Sequence, residues 1–336
     1  MKVNEITQIG IVGGGSAALM LVLEAAKKGI RTTLLDPEIN CIGAEAATEH
    51  MIATITNESI QKLSLRSDVI IVNTQLDYQL ESKLHAPLYP SQEVMNKLSD
   101  KREIFTLLEG LQIPMTKTYY QDNEAETFNK IEELKFPFRF MKHYSDRVES
   151  MNIFTKEDAE DFILEEEKAD SYIIQPITEY TSVIACLCIV DKGGKAVLYD
   201  PLEEEYEDDT LCKLSIASHL SKTMVQKITR YNKKLLKELG GCGVFTIKYG
   251  LTSNKKIEFL EMTPEISLSG ILTLEAYDMP IYEQYVHMVL GMKVVSPTLM
   301  NHVHGTVKQN HAIKSISTPY HLYNIGVTRL CVTLND

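Results

Sequence analysis

The sequence predicts an α/β protein: a doubly wound parallel sheet at the amino terminus, then a small α+β lid, then a larger α+β domain. Three stretches carry that expectation. Ile9 to Gly13 is a short apolar strand, followed by a glycine turn and the helical stretch SAALMLVLEAAKKG, which Gly29 closes. RTTLLDP and DVIIVN follow as further buried strands, the β-α-β opening of a doubly wound sheet. Far downstream, GVFTIKYGLTSNKKIEFLEMTPEISLSG (residues 243–270) reads as two strands joined by a polar turn, with Lys248 on the first and Glu261 on the second.

The elements between these landmarks follow in order. The charged helical segment SQEVMNKLSDKREIFTLLEGL runs to a break at Ile113-Pro114. From Tyr119 to Gln175 the elements are short: a helix near Glu124 to Leu134, the strand FPFRFMK, the acidic helix KEDAEDFILEEEK and the strand SYIIQP, a pattern that fits a lid. The third part opens with SVIACLCIVD, a KGGK turn and AVLYDP, and continues in a long helix from about His219 to Leu239. After the hairpin comes a helix with Tyr282, Tyr285 and Val289 on one face, and from Ser296 the tail is strand and turn. The division this predicts is 1–98, 99–175, 176–295 and 296–336.

Composition narrows the function. With 336 residues, 44% hydrophobic and 24% charged, the chain has the makings of two or three packed subdomains. No apolar run approaches the roughly 18 residues of a membrane span, and MKVNEITQIG lacks a secretory apolar stretch, so a cytoplasmic protein is expected. Six cysteines without C-x-x-C spacing read as thiols in a reducing compartment, with Cys186 and Cys188 packing a strand. A formal net charge of −12 disfavours nucleic acid or an anionic membrane as partner. The acidic runs Glu165 to Glu167 and Glu203 to Asp209 read as solvated faces. His302 and His304 share a strand face but lack a third ligand, and read as structural.

The glycine turn admits two readings. Gly13-Gly14-Gly15-Ser16-Ala17-Ala18 satisfies G-x-G-x-x-A between a strand and a helix, and Asp36 ends the second strand about 20 residues later, the spacing of a dinucleotide site. Tight strand-to-helix turns need glycine with or without a ligand. Nothing downstream supplies a hydride-transfer site, and on the residues alone both readings stay open.

The segments IGIVGGGSAALM, LLDPE, LYPSQEVM, GLQIPMTKTY, DPLEEEYEDDTLCKLSIAS, ELGGCGVFTIKY, FLEMTPEISLSG, YEQYVHMVLGM, SPTLMNHVHG and YHLYNIGVTRLCVTLND stand in one order along the chain. In that order and spacing, over essentially its whole length, the chain resembles the 5-(carboxyamino)imidazole ribonucleotide synthetase family of ATP-grasp enzymes. The resemblance implies an ATP-grasp fold with an amino-terminal Rossmann-like (pre-ATP-grasp) domain, a homodimer, and ATP with Mg²⁺ as cofactors. The family phosphorylates bicarbonate with ATP and passes the carboxyl to the amine of aminoimidazole ribonucleotide. Its glycine turn serves the ribonucleotide phosphate and not a dinucleotide, which implies neither NAD nor FAD and places Gly13, Gly15, Ser16, Ser269 and Gly270 at a substrate or phosphate loop. The nucleotide-binding positions it implies are Lys101, Lys142, Gln175, Ile177, Glu179, Lys213 and Lys248, and Glu261 is the implied metal ligand. For the ribose carboxylate the register leaves Glu179 or Tyr180.

The departures fall on the chemistry. The family strand G-V-x-x-x-E ends in a magnesium-binding carboxylate where this chain has Lys248, and N-E-x-A-P-R becomes Leu260-Glu261 with Glu265 in place of the arginine. Of H-N-S-G-H only Ser269-Gly270 survives, and the glycine-rich loop K-x-x-x-G-G-Y-D-G-x-G corresponds to KHYSDRVESMN, with Met141 or Lys142 at the phosphate lysine. The Y-E-F-E-N segment becomes Val72 to Leu76, and G-R-K-x-G-H becomes Gly326 to Cys331. From the acidic motif, Asp209, Lys213 and Ser215 are retained.

A unit positive charge about 4 Å from a dication costs roughly 8 kcal/mol at an effective dielectric near 20. Lys248 therefore reads either as an ion pair with Glu261 or as a fixed cation for a phosphate. The expectation is a divergent ATP-grasp protein that has lost the parental carboxylation and binds a nucleotide, a phosphorylated small molecule or a partner. The alternatives are an ATP-dependent carboxylate–amine ligase with a remodelled site, or the parental purine enzyme.

Overall fold

A parallel sheet covered on both faces needs apolar side chains on both, and the amino-terminal strands supply them. In the computed structural model, which describes residues 6–76, 78–81, 83–122, 124–142, 150–165, 172–207, 210–309, 320–325 and 328–334, this sheet has five strands. Their order is Glu49–Ile52, Arg31–Asp36, Gln8–Val12, Val69–Val72 and Leu88–Tyr89, and all pairs are parallel. Ile9, Ile11, Leu34, Val69 and Ile71 pack towards the helix Ser16–Lys27, while Val12, Leu35, Ile70 and Val72 pack with Ile60 and Leu63 on the other side.

The charged segment expected as one helical run is two helices, Gln92–Ser99 and Lys101–Leu111. Asp100 separates them: its backbone is extended, and its carboxylate accepts from the N–H groups of Arg102 (2.9 Å) and Glu103 (3.1 Å). A side chain that caps one helix start competes with continuation of the helix before it.

The lid is a four-stranded antiparallel sheet ordered Tyr119–Gln121, Tyr172–Pro176, Phe138–Lys142 and Ser150–Ile153. Phe138, Phe140, Tyr172 and Ile174 form its core with Ile131 and Ala159 of the helices Glu124–Glu133 and Lys156–Glu165. The intervening residues Arg139 and Met141 consequently face the opposite way. Of the stretch aligned with the family's glycine-rich loop (142–152), residues 143–149 lie outside the described residues, as do Glu166, Glu167, Asp209, Gly326 and Val327.

The third part is built on one large antiparallel sheet. Its strands run Ile257–Thr263, Gly243–Leu251, Ser182–Val190, Leu202–Glu207, Thr210–Ile216, Val303–Gln309, Thr328–Leu334 and Tyr320–Ile325, with Ala196–Leu198 beside Ser182–Val190. The tail thus extends the core sheet. Ile184, Cys186, Cys188, Phe245, Ile247 and Tyr249 pack under the long helix Lys222–Leu239, which starts at its Ser221 cap rather than at His219. Tyr282, Tyr285 and Val289 are fully buried, as the helical spacing predicts. The acidic run at 203 is the main correction: Leu202–Glu207 is an internal strand, and Glu204 is 1% exposed. Among the described residues no helix is long and apolar enough to cross a membrane.

The glycine turn is shaped by close backbone contacts. Gly13 has φ of +93°, and a Cβ there would lie 2.9 Å from the Asn73 carbonyl oxygen. Gly13→Ala is expected to cost about 1–3 kcal/mol, read as a lower urea midpoint. An unchanged midpoint contradicts this account of the turn.

Candidate functional site

The lid and the core hairpin enclose a cleft of about 450 Å³. Strand alternation sets its walls: Arg139 and Met141 come from the lid strand, and Lys248 and Glu261 from the hairpin. Gln175, Ile177 and Tyr180 form the hinge side, and Phe105, Phe259 and Leu260 add apolar surface. An adjoining cavity of about 330 Å³ shares Phe105, Arg139, Met141, Phe259, Leu260 and Glu261 and extends to Gln75, Ser99 and Lys101.

The polar centre is Lys248. It stands opposite Glu261 in the hairpin register, next to an irregularity between Lys248 and Tyr249, and the two side chains meet at 3.1 Å. Its ammonium also lies 3.2 Å from Glu204, two strands away across Ser182–Val190. Glu204 is satisfied on both oxygens: Oε1 accepts the Ser269 hydroxyl, while Oε2 accepts Tyr206 at 2.7 Å and meets Lys248. Side-chain exposure is 1% for Glu204, 18% for Lys248 and 51% for Glu261, so the inner pair is the strong one. Burial alone lowers the pKa of the ammonium, but Glu204 and Glu261 outweigh it and hold the value above that of ordinary lysine. Burial, with Glu204 beside it, also pushes the Tyr206 phenol up to about 12.

The ion pair expected from the hairpin is therefore present, with a second and more buried carboxylate that the sequence reading missed. Its trace is the alternation of Leu202, Glu204 and Tyr206 against three further glutamates, a strand pattern inside a charge run. Two carboxylates balance the Lys248 charge within the wall of the cleft.

The other expected positions divide. Gln175 and Ile177 line the cleft, and Gln175 donates to the Thr118 hydroxyl at 2.8 Å. Lys101, the first residue of its helix, lines the adjoining cavity. Glu179 is exposed and outside the lining, whereas Tyr180 lies within it, packed on Gly250 and bonded to Thr116 (3.0 Å) and Glu258 (3.1 Å). Lys213 is exposed and pairs with Glu205 at 3.0 Å, away from both cavities. Met141 lines the cleft; Lys142 ends the same strand, and its side chain is outside the described residues.

Gly13, Gly15, Ser16, Ser269 and Gly270 line neither cavity. Gly15 is exposed at the start of its helix, with open space where a Cβ would be. Ser269 serves Glu204, and Gly270 is a packing glycine whose added Cβ would lie 2.3 Å from Ile266. The Asp36 carboxylate accepts from Gly14 N–H (2.7 Å) and Glu38 N–H (2.9 Å), so it is engaged in its own turn rather than presented to a ribose. His304 contacts the Thr333 hydroxyl at 2.6 Å.

Residues 106–282 match the ATP-grasp domain, and residues 6–96 match the ribonucleotide synthetase preATP-grasp domain. The chain belongs to the ATP-grasp family. Among its ATP-grasp relatives, N5-carboxyaminoimidazole ribonucleotide synthase of Aquifex aeolicus is 21% identical over 296 residues, covering 87% of this chain and 78% of that one. Phosphoribosylaminoimidazole carboxylase of Candida albicans is 25% identical over 302 residues; the match takes in 84% of this chain but only 52% of that longer one. The crystal structure of N5-carboxyaminoimidazole synthetase from Staphylococcus aureus complexed with ADP superposes with a TM-score of 0.84 at 17% identity, covering 98% and 93% of the two chains. The fold is that of these ATP-grasp synthetases.

Among the described residues the donor set does not fit the Mg²⁺ that the family resemblance implies. Glu261 and Glu204 both face an ammonium, Glu204 has both oxygens engaged, and no group of three potential metal-ligating side chains occurs among the described residues.

Two variants test the triad. Lys248→Met leaves Glu204 buried without its cation and is expected to cost about 3–5 kcal/mol in urea denaturation, whereas Glu261→Gln removes an exposed partner and costs under about 1 kcal/mol. Because the folded pKa of Lys248 is raised, its contribution is full below the unfolded lysine value of about 10.4 and fades only as pH rises beyond it. Equal costs for the two variants would contradict the ranking.

Proposed function

We propose that this ATP-grasp protein binds a nucleotide in the cleft between lid and core hairpin, and that it does not form N5-carboxyaminoimidazole ribonucleotide from ATP and bicarbonate. The Glu204–Lys248–Glu261 triad carries this reading. Phosphoryl transfer of the parental kind needs a divalent cation on the phosphates, and the position that would present a carboxylate presents an ammonium. Phe259, Leu260, Met141 and Ile177 leave the cleft an apolar lining of the kind that accepts a flat base.

The Staphylococcus aureus relative was crystallised with ADP, and its fold superposes over nearly all of this chain, which supports a retained nucleotide cleft. The separation of binding from catalysis is physically reasonable. Base recognition uses shape and apolar area spread over several elements, while phosphoryl transfer depends on a few charges.

A steady-state ADP-release assay with saturating bicarbonate and aminoimidazole ribonucleotide is expected to stay at background. Turnover in the range of roughly 1 to 1,000 per second overturns the loss of carboxylation. Thermal shift with ADP is expected to raise the melting temperature, following RT ln(1 + [L]/Kd). No shift at millimolar ADP overturns nucleotide binding.

A further inference from the structure

We propose that Arg139 anchors the phosphate of the bound nucleotide and that this anchoring is independent of divalent cations; the inference rests on the nucleotide-binding reading of the cleft. Arg139 stands on the lid strand beside Met141, facing away from the Phe138 and Phe140 core, and it lines both the 450 Å³ cleft and the 330 Å³ cavity next to it. It is the residue common to both spaces that carries a positive charge.

Two observations separate it from Lys248. Lys248 has two carboxylates within 3.2 Å, whereas Arg139 has no carboxylate at ion-pairing distance among the described residues. Its Nε donates to Asn152 Oδ1 at 3.1 Å, a contact between directly paired residues of neighbouring strands. That bond orients the guanidinium, and among the described residues its two terminal nitrogens are left to donate. A planar fork with a fixed stem suits two oxygens of one phosphate, and as a cation it supplies the charge that a metal would otherwise bring.

The same charge count sets the class of ligand. The Lys248 charge is cancelled inside the wall, so the cleft gains little from it, and Glu261 repels anions on that side. A phosphate is therefore drawn towards the lid side, and the ligand is a nucleotide held by its base in the apolar part and by a phosphate at Arg139.

The test is a titration of the full chain with adenosine and with ADP, in EDTA and again in Mg²⁺, for wild type, Arg139→Gln and Asn152→Ala. Arg139 is exposed, so its replacement leaves the cores intact. In EDTA the wild type is expected to prefer ADP over adenosine by about 10- to 100-fold, the worth of a charge-assisted hydrogen bond or a bidentate pair. Arg139→Gln removes that preference while adenosine affinity holds, Asn152→Ala reduces it in part, and Mg²⁺ changes the wild-type ADP affinity less than about twofold. An ADP preference that survives Arg139→Gln overturns the role of Arg139 and leaves the nucleotide site standing. A tenfold or larger gain with Mg²⁺ overturns metal independence. Failure of both adenosine and ADP to bind overturns this inference together with the nucleotide reading beneath it.

Discussion

A carboxylate taken almost completely out of water must find a cation, and in this protein Glu204 finds Lys248. The cost of leaving it alone is several kcal/mol, so its environment is determined by that need. The answer draws on four separate elements: the strand Leu202–Glu207 carries the acid, Gly243–Leu251 the base, Ile257–Thr263 the outer carboxylate, and the turn Leu268–Ile271 the Ser269 hydroxyl. Neighbouring hydrogen bonds extend the same order. Ser267 N–H donates to Thr246 at 3.1 Å, and Ile266 N–H donates to Asn73 of the amino-terminal domain at 3.1 Å. Residues 266–269 are thus tied both to the core sheet and to the amino-terminal domain.

The fold and the chemistry depend on different residues, which is why one can change sign under the other. The cores are apolar layers set by strand and helix periodicity, and the polar positions of the cleft contribute little to them. Exchanging a carboxylate for an ammonium alters an electrostatic site by several kcal/mol but need not move a strand. A TM-score of 0.84 at 17% identity is what such a division produces. Similarity of backbone says where a site would be; the side chains say what it can do.

The parts of the structure legible in the sequence are those governed by local periodicity. The parallel sheet, the glycine turn and the opposition of Lys248 to Glu261 follow from alternation and hairpin register. The link from Lys248 to Glu204 does not, because it spans a strand that lies between them in space and forty-four positions in sequence, a separation no local pattern encodes. A rule that reads charge runs as solvated is an average over faces, and it fails at Glu204, which faces inward. Arg139 is illegible for a related reason: in an aromatic-rich strand it reads as an interruption, and only the sheet's second face brings it to the cleft. Asp100 sits inside a continuous helical pattern, yet its side chain makes a better cap than a helix interior.

Lys248 and Arg139 carry the same formal charge and line the same cleft, yet they are not equivalent towards a ligand. A buried cation between two carboxylates has already been compensated. An incoming anion must either displace a carboxylate or accept its repulsion, and in a low-dielectric wall both are expensive. A cation held by a neutral amide, as Arg139 is by Asn152, keeps its field directed outward and loses little solvation when a phosphate replaces water. Counting basic residues around a cavity therefore misjudges its affinity for anions. The relevant quantity is the charge left after internal pairing, and in this cleft that remainder lies on the lid, across from the hairpin where a metal-dependent enzyme would concentrate it.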